Sequence, residues 1–271
     1  MALVTLPRKL SYAYLLAVPL LVTVLAFGIG HITPFLYIPF WLINTAFMTL
    51  ASRQLALTTS AELRWVLWPS VVPWILIAVF GFMGPPPNNI AGWAALAHEQ
   101  VARFSILIIC GVMAGIGAFR LNRYLHGTPG SKWATTGYLL IRIALPFFFL
   151  DMAYWGYFIT YEFVNRTKPG APAKSAWLKP LATLFTGIRM TDMSLIYLAT
   201  AAFVLALKAS GFMSGTASRV YVAFACLGAV CNLLPDNAPG ILSVMGYLSA
   251  IPAYALLMLY LVSVNLLTKG K

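Results

Sequence analysis

The feature that most constrains this chain is a succession of apolar runs, each close to the length a helix needs to cross a bilayer. A hydrocarbon core of ~30 Å takes about 20 helical residues, whereas membrane-spanning strands would show segments of ~10 residues alternating apolar and polar. The runs are long and do not alternate. The expected fold is therefore all-α, a polytopic integral membrane protein of about eight transmembrane helices in one bundle. The spans fall near residues 12–29, 33–51, 65–83, 94–118, 136–164, 184–207, 217–234 and 241–267. The seventh is the weakest, because Arg219 sits in its first turn and Pro235 closes it. Only 9% of the 271 residues are charged and 61% are hydrophobic. That composition excludes an ordinary soluble domain, in which roughly a quarter of residues carry charge.

Residues 1–271 form a single transmembrane domain, since no connection is long enough to fold alone. The longest, around Lys168–Lys174, is a Pro/Gly/Ala-rich loop. Arg8 and Lys9 ahead of an apolar run resemble a secretory signal, but Ala26-Phe27-Gly28 is a poor cleavage site, so the segment is expected to stay as the first helix. A net charge of +12 in so apolar a chain points to anionic lipid headgroups as partners and not to nucleic acid. With the N-terminus inside, Arg8, Lys9, Arg53, Arg64, Arg120, Arg123, Lys132, Lys208, Arg219, Lys269 and Lys271 collect on the cytoplasmic side. Arg103, Arg166, Lys168, Lys174, Lys179 and Arg189 fall outside or at the outer boundary. The excess places both termini in the cytoplasm and the loop Asn165–Pro180 outside, although that loop holds four of the outer positives.

No cofactor and no metal is expected. His31, His98 and His126 are far apart in sequence, and Cys110, Cys226 and Cys231 lie in apolar runs without metal or disulfide spacing. Phosphate-loop, serine-hydrolase and retinal-lysine patterns are missing. Glu99-x-x-x-Arg103 is similar to part of the Glu-Glu-x-x-x-Arg signature of CAAX-type intramembrane proteases. His98 stands where the first Glu would be, however, and no later metal-binding pair follows.

The informative residues are the charges inside spans, because an ionisable group in hydrocarbon costs at least ~2.5–3.5 kcal/mol and must face protein, water or a partner. Asp151 lies near the middle of the fifth run. Trp155, Phe158 and Glu162 follow it on one regular helical face, with Tyr154, Tyr157 and Tyr161 as the adjoining stripe. Such a face can bind a cation, hydrogen-bond a solute or carry protons. The plainer alternative is a buried helix whose Asp151 is satisfied by a neighbouring Arg or Tyr. In the fourth run Glu99 and Arg103 are four residues apart, and in the sixth Arg189 and Asp192 are three apart, so each pair can meet on one helix. Glu99 is expected within salt-bridge reach of Arg103 or Arg189. With His98, Glu162, His31 and Asp236 these residues outline an outward-facing polar vestibule. Arg142 is too far along the helix to pair with Asp151, and either snorkels to inner lipid phosphates or closes the inner end of a pathway.

Gly111 and Gly115 form a small-residue ridge for close helix approach, within the chain or in a homo-oligomer. Prolines such as Pro69, Pro73 and Pro146 free carbonyls inside spans. Tyr12, Tyr14, Trp41, Trp65, Trp68, Trp93, Trp133 and Trp177 are expected in interfacial belts. Together these features favour a transporter or channel-like protein for a small solute or ion, with a carboxylate/tyrosine site on the fifth helix. The alternatives are a non-catalytic subunit of a larger membrane complex and an interfacial lipid-modifying enzyme using His98 and Glu99.

Overall fold

In a computed structural model of the protein, described for residues 7–170, 177–235 and 238–268, the regular structure is entirely helical. The helices in chain order are α1 (Arg8–Val24), α2 (Pro34–Ala56), α3 (Ala61–Ile77), α4 (Phe80–Met83), α5 (Ile90–Ala95), α6 (Ala97–Tyr124), α7 (Ser131–Ala153), α8 (Thr160–Arg166), α9 (Leu178–Ala209), α10 (Gly215–Cys231), α11 (Ile241–Ser249) and α12 (Pro252–Leu267). Two π-helical stretches, Leu25–Ile29 and Tyr154–Ile159, continue α1 and join α7 to α8.

Six stretches are long and apolar enough to cross a bilayer: Arg8–Ile29, Pro34–Ala56, Ala61–Met83, Ala97–Tyr124, Ser131–Arg166 and Leu178–Ala209. The expected eighth span is broken into α11 and α12, which meet at 73° and make at most one further crossing. The expected seventh is α10, only 17 residues long. By length and composition the described residues thus hold six such spans, or seven with the bent pair, against the eight expected. The observed helices also run beyond the apolar stretches, taking in Arg120, Arg123, Lys132 and Lys208 near their ends.

Helix α12 is largely buried; it packs chiefly on α3 and α9 and also meets α1, α2, α6 and α10, while α7 packs on α9 and α6. Of the 16 residues of α12, 11 are buried, and Tyr260 is fully so, donating its hydroxyl to Leu15 O at 2.8 Å and tilting against Trp74 at 5.9 Å. A helix apolar all round is the pattern of a buried core helix. By contrast, much of α2 is exposed and apolar, as Phe35, Phe40, Leu42 and Ile43 show, which suits a face turned to lipid tails.

Local chemistry explains several boundaries. Ser60, Asn89 and Ser214 cap α3, α5 and α10 by accepting backbone N–H groups, and Pro34 and Pro252 open α2 and α12 where a missing N–H costs nothing. Inside α3, Pro69 has no N–H for the carbonyl of Trp65, and Arg120 donates to that oxygen at 2.9 Å instead. Gly111 and Gly115 face inward: an added Cβ would lie 2.7 Å from Phe148 and 2.7 Å from Leu145 of α7. The close approach that the small residues allow is thus made to the chain's own α7.

Candidate functional site

The irregular segments converge on one cavity of about 560 Å³. Ala26 and Phe27 reach it from the first π-helical stretch, Trp155 from the second, and Ala250, Ile251 and Pro252 from the break between α11 and α12. A continuous α-helix satisfies its own backbone and leaves little reason for space beside it. Departures from α geometry inside a bundle are tolerated where they line a cavity, and π-bulges recur at functional sites. At one end the wall is completed by Gly84 and Pro85–Pro87. The remaining wall mixes aliphatic and polar side chains with the aromatic Trp74, Trp93, Phe104, Tyr247 and Tyr254.

Asp151 borders this space. It is fully buried and both carboxylate oxygens lack a hydrogen-bond partner among the described residues. The Trp155 indole lies beside it, but its N–H completes no hydrogen bond. Across from it, α9 brings Arg189 and Asp192 within electrostatic reach. Asp192 is also fully buried; its Oδ1 accepts the N–H of Met193 at 2.7 Å and its Oδ2 is unpartnered. Arg189 forms no ion pair with either acid among the described residues, and instead its guanidinium stands over Trp155 at 5.9 Å from the ring centroid. The expected Arg189–Asp192 pairing within one turn therefore gives way to a loose cluster of two carboxylates and one guanidinium spread over α7 and α9.

A second polar group sits toward the proline-loop end. Arg103 is 6% exposed, donates to the carbonyls of Gly84 at 2.8 Å and Met83 at 3.4 Å, and lies over Phe80 at 5.2 Å. It holds the chain reversal after α4 in place. Glu99 does not close on Arg103 or Arg189: it pairs with His31, whose Nε2 lies 3.1 Å from both of its oxygens. The reason is reach, because the segment after the first π-helical stretch lays His31 against α6 while Arg103 is drawn to the Gly84 carbonyl. His98 is exposed, away from this pair.

The tyrosine stripe does not form as one surface. Tyr154 is buried and stacked on Phe185 with centroids 3.8 Å apart. Tyr157 is 46% exposed with its hydroxyl 2.7 Å from Ser105 Oγ, and Tyr161 is 69% exposed. Glu162 accepts from Arg166 at 2.9 Å on α8, clear of the cavity. The cause is the π-helical stretch Tyr154–Ile159, whose wider turn rotates everything after it out of the register that regular spacing from Asp151 predicts. Arg142 is exposed on the outer face of α7, over Tyr138 at 5.7 Å, and does not line the cavity. Asp236, Lys174, Lys269 and Lys271 lie outside the described residues.

Sequence reasoning missed most of the aromatic wall. Trp93, expected in an interfacial belt, is buried, donates to Thr160 Oγ1 at 2.9 Å and packs on Phe104 and Trp155. The Asn-capped short helix α5 turns it inward, and Pro85–Pro87 ahead of it was the available signal. Trp65, Trp133 and Trp177 are exposed. The chain is a multi-helix membrane protein by its apolar bundle, and no family model, curated protein or solved structure matches it.

Proposed function

We propose that the protein is a membrane transporter or channel-like protein for a small solute or ion, with Asp151 as the carboxylate that binds the moving cation or proton. The observation that carries this reading is Asp151 itself, fully buried, unpartnered on both oxygens and bordering a cavity. A carboxylate kept only for structure would be satisfied by its neighbours, since a buried polar group without partners is costly. One that must bind and release a charge is left without permanent bonds. The break between α11 and α12 beside it supports the same reading, because discontinuous helices at a binding site are a recurring transporter device.

The test is flux through liposomes holding the purified protein, with a trapped pH-sensitive dye and imposed proton and monovalent-cation gradients. Asp151→Asn keeps shape and hydrogen bonding but removes charge and titration. It is expected to slow flux about tenfold or more with little change in thermal midpoint. A stable Asp151→Asn protein with full flux removes the residue on which the reading stands. A variant that loses stability while any surviving protein keeps wild-type flux assigns Asp151 to structure instead.

A further inference from the structure

We propose that the cavity takes a monovalent organic cation with an apolar body, its ammonium seated on Asp151. This rests on the reading that the cavity is a solute site and adds the class of solute. Asp151 and Arg189 line the cavity, and Asp192, a second buried carboxylate within electrostatic reach of both, does not. The other cavity arginine, Arg103, is committed to the Met83 and Gly84 carbonyls and faces Glu99. Among the described residues Arg189 pairs with neither acid, so Asp151, when ionised, meets the cavity without a counter-charge on its oxygens, and a single positive charge is what completes it. Size and lining separate the candidates. Hard inorganic cations collect several oxygen ligands. The cavity that Asp151 borders is lined also by Trp155, Trp74 and Tyr254, and aromatic rings can attract an ammonium through their quadrupoles and bury its hydrocarbon. At about 560 Å³ the space lies within the ~300–1,000 Å³ usual for small-molecule sites and is far larger than a proton relay requires.

The experiment is isothermal titration calorimetry on the purified full chain in detergent with three probes of similar body: benzyltrimethylammonium, benzyl alcohol and phenylacetate. The ammonium is expected to bind saturably, one per chain, and about tenfold or more tighter than phenylacetate. Asp151→Asn is expected to weaken it by a similar factor, and Asp192→Asn, outside the cavity lining, by a smaller one. Phenylacetate binding as tightly as the ammonium, no ammonium binding, or an unchanged affinity in a folded Asp151→Asn protein overturns the proposal. The wild-type preference decides between cation and anion even if neither variant folds. Ammonium binding without flux in liposomes keeps this ligand class and removes transport, while proton flux without ammonium binding does the reverse.

Discussion

The two halves of α6 solve opposite problems with the same backbone. Toward Tyr124 it carries Gly111, Gly115 and Gly117, where a Cβ would come within 2.7 Å of Phe148, 2.7 Å of Leu145 and 2.5 Å of Ser70 Oγ. Toward Ala97 it carries Arg103, Phe104 and Leu107, which form cavity wall. In the Tyr124 half α6 itself supplies the small residues that let its neighbours close; in the Ala97 half its large side chains border open space. Where a neighbour does come close there, the small residue is the neighbour's, Gly156, on which a Cβ would lie 2.4 Å from Phe104 Cβ. The lesson is that the cavity is not a packing failure but the complement of a tightly packed floor in the same helix.

That contrast can be broken from either side. Adding bulk to the floor should cost most: Gly111→Leu is expected to lower stability by ~1–3 kcal/mol, the range for overpacking, read as a fall in thermal midpoint in detergent. A variant as stable as the wild type would mean that the close α6–α7 contact contributes nothing. Cutting the tie at the cavity's rim should cost less. His31→Ala removes a partly exposed pair with Glu99, and a loss of about 1 kcal/mol at most is expected in the same measurement. The smallest stability effect is expected for bulk added on the open side: Thr186→Leu, at the cavity wall, should stay within ~0.5 kcal/mol of the wild type while slowing liposome flux. Destabilisation equal to that of Gly111→Leu would show that the two regions are packed alike.

Much of this arrangement was legible in the letters. Bilayer-length runs announce the all-helical bundle, and Asp151 in mid-span marks the site, because few residues are as costly to leave in hydrocarbon. Arg189 and Asp192 were visible as candidates, although what joins them to Asp151 is the packing of α9 on α7, which no spacing within one helix reveals. Regular 3.6-residue geometry misplaced Tyr157, Tyr161 and Glu162, since nothing in Tyr-Trp-Gly-Tyr-Phe-Ile announces a π-helical turn. Glu99 found His31 and not an arginine, a partner 68 positions away supplied by chain reversal. The break at Ala250–Ile251 had its signal in Pro252, a proline inside the expected eighth span, but a proline alone does not tell a kink from a full 73° break.

The π-helical stretch Tyr154–Ile159 has a mechanical consequence. A π turn holds about one residue more than an α turn, so the segment beyond it sits one residue out of phase with the segment before it. Conversion of that stretch to α geometry would turn α8 by about 100° and advance it by about 1.5 Å relative to Asp151, the angular and axial share of a single residue. No helix would have to melt for this to happen. The α8 end of this span is therefore a screw with a one-residue step, and Trp155, which borders both Asp151 and the cavity, stands on its thread.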